Sequence, residues 1–414
     1  MQGYYVAGID VHKAMLAVVV SEVKPGECEF QRRRFGTTRS QLRELTEWLL
    51  GLGVHEVVME STARYWRPVW VALEETGIRR HLAHAHSNGA RRGRKSDFRD
   101  AERLIHRLVA GELVLSYVPE DEQQGWRLLT RTRYQLVCER GRVHSQIEGL
   151  LEDAQIKLSS VITDLLGASG RRILQALVEQ EGRHNPAKLA ELGHAKLRAS
   201  REKLTDALDG RWLERHRFLL RLHLERIHQL DVQIEEIQQQ TASAMQSCQE
   251  AVARLVQVPG IRTEGALQML AEIGPTAAAF PTPGQLASWV GVCPGQQESA
   301  GQSYSQRSAK GNWQMRRLLS QAAHAAAHAK GSFFESFYRR LVAKRGPAKA
   351  IWALAHKLCR LIWKILHEGA EYQEQGHPTS TLQTIRRRQR RIAAEFRKLG
   401  YQVQFTVLPP ATPR

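Results

Sequence analysis

The sequence predicts an α/β domain at its N-terminus followed by an all-α remainder, and three observations carry that prediction. Short apolar runs rich in valine and isoleucine recur through residues 1–125, separated by single helical stretches. From residue 126 onward the apolar positions step by threes, fours and sevens instead, the spacing of helices. Beyond Gly369 the chain turns Gln-, Thr-, Pro- and Arg-rich, a composition that predicts partial disorder over residues 371–414.

Taken in order, Tyr4–Ile9 and Met15–Val20 read as strands joined by a short turn, and Cys28–Phe35 as a third. Gln41–Leu52 has helical period, with Leu42, Leu45 and Leu49 on one side. His55–Glu60 is a strand, Pro68–Glu75 a helix with proline near its start, and Arg80–His84 another strand. A polar, glycine-containing loop follows, and a helix begins near Ser96, whose hydroxyl suits an N-cap. Three strands, then helix, strand, helix, strand, helix is the order of the ribonuclease H-like fold, also called RuvC-like.

Residues 126–250 read as a helical region. Leu136, Val143, Ile147, Leu150 and Ala154 form one stripe; Ile227, Leu230, Ile234 and Ile237 form another that continues weakly to Thr241 and Ala244. Such stripes suit an antiparallel or intersubunit coiled coil, or two helices of an ordinary bundle. Between them, five glycines in Leu165–Gly210 predict several short helices. Residues 251–370 form a second helical domain that opens on Leu255–Ile261. The Val258-Pro259-Gly260 turn there is similar to a helix-hairpin-helix, whose turn amides face a DNA phosphate, although Arg262 replaces the usual second glycine. Gln296–Lys310 reads as an exposed polar loop and Gly311–Lys330 as an alanine-rich helix.

Composition narrows the function. Of 414 residues, 42% are hydrophobic and 25% charged, which is globular. No apolar run is long enough to span a membrane and the N-terminus has no secretory pattern, so a cytoplasmic protein with no membrane partner is expected. Cys28, Cys138, Cys248, Cys293 and Cys359 are far apart and form no C-x-x-C pair, so they read as reduced thiols. A formal charge of +18 makes a polyanion the expected partner. The charge is clustered: Ser299–Lys349 holds ten Lys or Arg against one acid, Glu335, and Arg79–Arg99 holds seven against Asp97. Lys13, Arg91, Arg92, Arg94 and Lys95 near the acids, and Arg307, Lys310, Arg316 and Arg317 farther on, are the expected nucleic-acid-binding residues.

The acids give the chemistry. Asp10 and Glu60 each end an apolar strand, and Asp97 and Asp100 lie three apart on one face of a helix start. Carboxylates converging from strand ends and a helix could hold hard divalent cations, which prefer oxygen ligands. In so basic a chain the matching reaction is metal-assisted cleavage of a phosphodiester. An actin-like ATPase also opens on an apolar strand ending Gly-Ile-Asp, but needs small or hydroxyl residues where His12-Lys13 stand. Ser299, between Glu298 and Gly301, is a second candidate, since a serine hydroxyl can attack phosphorus when a base or metal activates it and cations stabilise the developing charge. His81, His84 and His86 read as surface residues.

These residues resemble the RuvC-like DEDD transposases of insertion-sequence family 110, the bridge-RNA-guided recombinases. The motifs are Gly8-Ile9-Asp10, Met59-Glu60-Ser61-Thr62 and Lys95-Ser96-Asp97-x-x-Asp100-Ala101, then Gly210-Arg211, Val258-Pro259-Gly260, Gly291-Val292-Cys293-Pro294, Glu298-Ser299 and Lys310-Gly311-Asn312. Ala300 stands where relatives often carry Ser or Gly. The resemblance implies Mg2+, with Mn2+ able to substitute, on Asp10, Glu60, Asp97 and Asp100, and Ser299 as the nucleophile. It also implies donor and target double-stranded DNA as substrates, a structured bridge RNA as guide, and homodimers that assemble into a tetramer at the nucleoid. Each active site would combine acids and serine from different subunits. Two other readings stay open: a RuvC-like nuclease that uses water and no serine, and a non-catalytic nucleic-acid-binding protein.

Overall fold

Unbroken burial from Val6 to Ile9 makes β1 (Tyr5–Val11) a strand covered on both faces. It pairs antiparallel with β2 (Met15–Glu22), which pairs antiparallel with β3 (Phe30–Gly36). Helix α1 (Arg39–Gly51) then leads to β4 (Val54–Glu60), parallel to β1, and α2 (Trp66–Ala72) leads through one 3-10 turn to β5 (Arg79–Ala83), parallel to β4. The sheet order is β3-β2-β1-β4-β5, the mixed order of a ribonuclease H-like domain. Helix α3 (Asp97–Val109) completes it. In this computed structural model the described residues are 3–24, 29–60, 63–84, 96–180, 184–194, 197–295, 297–299, 302–305 and 308–374, with a few positions beyond.

The two faces of the sheet have separate cores. Ala7, Ile9 and Val11 of β1 pack with Val57 and Met59 of β4 against Leu42, Leu45 and Leu49 of α1 and Val69 of α2. Val6 and Val19 pack instead on Ala101 and Ile105 of α3, and Val58 on Leu104. Period-two alternation therefore puts Gly8 and Asp10 on the α3 face, together with Val58 and Glu60. Gly8 is required there: a Cβ would stand 2.2 Å from the Ala101 carbonyl oxygen, so only glycine lets α3 approach this closely.

Two local expectations change. Pro68 lies in the first turn of α2, where it costs no intrahelical hydrogen bond, and the helix ends at Ala72 rather than Glu75. Ser96 is the N-cap residue of α3, yet its side chain makes no capping bond.

The chain divides into compact units Met1–Pro119 and Glu120–Arg414, so both helical regions belong to the second. There α4 (Asp121–Asp153) is followed by α5 (Leu158–Val161), α6 (Ala168–Glu179), α7 (Pro186–Ala190), α8 (Arg201–Leu208) and α9 (Glu214–Ala244). Helices α4 and α9 are antiparallel partners within one chain. Trp126 Nε1 donates to the Ala244 carbonyl at 3.0 Å, Arg140 meets Asp231 at 2.6 Å, and His216 meets Asp153 at 2.9 Å. Val143, Ile147 and Ala154 of the first stripe share a core with Ile227 and Leu230 of the second. Helices α10 (Gln249–Val256), α11 (Thr263–Ile273) and α12 (Pro283–Val290) follow, then a hairpin of β6 (Gln297–Ser299) and β7 (Gln302–Ser305), then α13 (Trp313–Ala327), α14 (Phe333–Arg345) and α15 (Pro347–His367). Gly260, in the α10–α11 turn, has φ +92°, and a Cβ on it would lie 2.4 Å from the Ala322 carbonyl oxygen of α13. Close helix packing explains this glycine without a phosphate. Among the described residues no helix is long and apolar enough to cross a membrane.

Candidate active site

The sheet and α3 bring the acids to one edge. The parallel register pairs Ile9 with Met59, and each strand runs one residue further, to Asp10 and Glu60, on the face that α3 covers. Asp97 and Asp100 occupy the first turn of α3, where the helix dipole favours negative charge. Asp10 is 18% exposed, Asp100 25% and Asp97 37%, so the cluster opens to solvent on one side. Asp100 accepts a 2.5 Å bond from Arg103.

Asp10 shows the electrostatic cost of this convergence. Burial pushes its carboxyl above the usual range, the nearby charges of Asp100 and Asp97 push it further, and His12 works in the opposite direction. His12 is a site residue that the sequence reading did not assign. Its Nε2 lies 3.1 Å from Asp10 Oδ2 and 3.6 Å from Asp97 Oδ1, so it bridges a strand acid and a helix acid. A turn closed by the His12 N–H to the Met15 carbonyl, 3.0 Å, fixes its backbone. The signal in the sequence was its spacing, two residues after Asp10, which returns an extended chain to the same side. One ligand atom from each of Asp10, His12 and Asp97 lies within 4.8 Å of the others, a spacing that one cation could bridge. Carboxylates that repel one another on a half-buried edge fit a hard divalent cation, whose charge would relieve that repulsion.

Ser299 ends β6 and pairs with Gln302 of β7, so the expected loop is in fact a strand pair. Its physical origin is backbone pairing, since Gln, Glu, Ser and Tyr give little apolar alternation. The feet of the hairpin are tightly built. A Cβ on Gly291 would lie 2.5 Å from the Ala309 carbonyl oxygen, and one on Gly311 would lie 2.3 Å from the Val290 carbonyl oxygen. Two glycines therefore let the chain entering the hairpin touch the chain leaving it. Arg316 clamps the same junction. Its guanidinium donates to the carbonyl of Gly291, and at 3.2 Å to both Ser308 Oγ and the Ala309 carbonyl, while lying 4.6 Å from the Trp352 ring centre. Asn312 caps α13 through Met315 N–H at 3.0 Å and donates at 2.9 Å to Glu272, which is 2% exposed. Arg131 holds Glu272 with two 2.8 Å bonds.

The expected nucleic-acid-binding residues thus divide. Lys13 and Lys310 are exposed. Arg316 is bonded at the hairpin feet, and Arg317 stacks 4.0 Å over Tyr134 and donates to Gln268 at 2.6 Å. Arg91, Arg92, Arg94, Lys95 and Arg307 lie outside the described residues, as do Ser61, Thr62, His86 and Cys28. His81, read as a surface residue, is only 16% exposed and bonds Glu56 at 2.6 Å.

A ribonuclease H-like sheet whose Asp10 meets His12, Asp97 and Asp100 beneath a covering helix, followed by a helical unit, defines the structural class, and comparison with known proteins gives the family. A DEDD transposase model of IS110 elements matches residues 7–156, and the model of the transposase IS116/IS110/IS902 family matches residues 252–339. The chain belongs to the IS110 family of transposases. It is 26% identical over 381 residues to a probable family 20 transposase of Pseudomonas aeruginosa, covering 90% of this chain and 96% of that protein. Among solved structures it is similar to RuvC of Thermus thermophilus, with 16% identity, 27% of this chain and 99% of that one covered, and a TM-score of 0.22. The same enzyme in complex with a Holliday junction substrate gives 14% identity over 27% and 99% of the chains, with a TM-score of 0.22.

Proposed function

We propose that this transposase cuts and rejoins donor and target DNA through a serine-linked intermediate, with Asp10, Glu60, Asp97 and Asp100 holding Mg2+ and Ser299 supplying the nucleophile. The observation that carries the reading is the meeting of strand and helix acids on one face of the sheet, at a carboxylate that burial and its neighbours make unfavourable to ionise. A divalent cation bound by these carboxylates would offset charge on the scissile phosphate. His12 hydrogen-bonds Asp10 and would keep that carboxylate aimed at the cluster. The Ser299 oxygen forms the new bond to phosphorus, its proton passes to the departing 3′ oxygen, and the DNA 5′ end stays on the protein. Attack by a 3′ hydroxyl of the other duplex then releases the serine, so the number of phosphoester bonds is unchanged and no ATP is needed. A structured bridge RNA would select donor and target by base pairing, and dimers assembled into tetramers would bring acids and serine of different subunits together.

The test uses Asp10→Asn and Asp97→Asn in Mg2+ with matched guide RNA and DNA. Each is expected to lower strand cleavage by about 100-fold or more while circular dichroism stays that of the wild type. Strand exchange at the wild-type rate by folded Asp10→Asn protein would remove the metal-site assignment.

A further inference from the structure

Beside the feet of the Ser299 hairpin opens a cavity of about 1470 Å³, bounded by Cys293–Gly295 and Ser308 on one side and by α14, α15 and Ala370–Gln373 on the others. Helix α15 has two unlike faces. Leu354, Leu358, Ile362 and Ile365 bury into the core, whereas Lys349, Lys357, Arg360 and Lys364 line the cavity at helical spacing. Arg345 adds a fifth cation; among the described residues Glu371 is the only acid on the lining. Among the described residues these five cations have no carboxylate partner, unlike the paired arginines around Glu272 and Asp231.

Aromatic rings alternate with these charges. Phe337, Trp352 and Tyr372 line the cavity. Lys357 Nζ stands 4.8 Å and 5.4 Å from the ring centres of Phe333 and Phe337, which stack on each other at 24°. Phe334 and Tyr372 stack at 15°. From Lys349 to Lys364 the helix rises about 22 Å, which is the length of a few nucleotides. Unpaired cations would bind phosphates, and flat rings between them would bind bases. A duplex keeps its bases stacked on each other and offers such rings nothing, and an acidic peptide would leave them unused. We infer that this groove binds an unpaired stretch of a nucleic-acid strand, bases against Phe337, Trp352 and Tyr372, and leads it to the hairpin that carries Ser299. The inference rests on the reading that the chain acts on DNA at that hairpin.

The full-length protein is titrated with fluorescent oligothymidylate, an abasic oligomer of equal length, oligouridylate, and a duplex. Oligothymidylate is expected to bind about tenfold or more tighter than the abasic oligomer, which has the same phosphates but no bases. Lys357→Ala/Arg360→Ala changes two exposed side chains and should reduce the slope of log affinity against log salt by about 1.4. Phe337→Leu keeps apolar volume and should remove most of the preference for oligothymidylate over the abasic oligomer. Tighter oligouridylate binding would assign the groove to unpaired RNA, and tighter oligothymidylate binding to a displaced DNA strand; either result supports the inference. Equal binding of thymidylate and abasic oligomers, duplex binding with the same dependence on Phe337, or unchanged affinity in the double variant would each overturn it. Ser299→Ala should bind the oligomers like the wild type. A wild-type chain that binds them through Phe337 yet never forms a DNA adduct would defeat the serine reading and leave the groove standing.

Discussion

Asp10 is opposed by its surroundings, and that opposition has a sign that can be measured. Its folded carboxyl is raised above the ordinary 3.8 by burial and by Asp100 and Asp97. A raised acid contributes stability only while protonated, so its ionisation opposes folding as pH rises through the folded value. Asp10→Asn should therefore melt higher than the wild type at pH 7 in chelator, with the difference fading below the ordinary value. Added Mg2+ should raise the wild-type melting temperature more than the variant's. Equal melting curves at neutral pH would mean that the cluster carries no such repulsion. Glu56 has the opposite sign. Burial works against its charge, but bonds from Tyr4 and His81 and the nearby Arg79 outweigh it and hold it below the ordinary 4.5. Its contribution is present at neutral pH and disappears as pH falls below that value. Glu56→Gln should lose stability at pH 7 and much less in acid, read by urea titration at both.

At the scale of elements, packing positions the chemistry. Helix α3 reaches the sheet only because residue 8 has no side chain. Gly8→Ala should force α3 outward, cost about 1–3 kcal/mol in urea unfolding, and weaken metal-dependent cleavage with all four acids intact. Normal cleavage in that variant would show that the acids do not depend on this contact. The hairpin has its own support in the buried Glu272, which ties α11 to Arg131 on α4 and to Asn312 at the start of α13. Glu272→Ala should destabilise the second unit by about 1–3 kcal/mol, since it removes the buried carboxylate that half-buried Arg131 and the Asn312 amide bond to, and calorimetry would read it. The sequence made the sheet side of this picture legible, because alternation along β1 and β4 decides which face Asp10 and Glu60 share. The hairpin was not legible, since its strands are short and polar. Arg316 and Arg317 were visible as charge, but which carbonyls, amides and rings take up their guanidiniums depends on helices brought together from distant sequence. His12 was in plain view, yet only the approach of α3 gives it a second acid to bridge.

At the scale of the whole molecule, two compact units carry the two halves of the proposed chemistry: acids in Met1–Pro119, the serine hairpin in Glu120–Arg414. A net charge of +18 would favour polyanions, so affinity for DNA or RNA should fall steeply between low and moderate salt. The apolar stripes of α4 and α9 bury against each other in one chain at Val143, Ile147, Ile227 and Leu230, so subunit contacts would need other surfaces as well. The serine is what separates strand exchange from hydrolysis. Labelled DNA is incubated with protein, guide RNA and Mg2+, denatured, resolved on a gel, and the linked peptide is mapped. The expected result is label migrating with protein, mapped to Ser299, absent from Ser299→Ala and unaffected in Ser303→Ala; cleavage without any adduct, or an adduct on another residue, would contradict the serine mechanism.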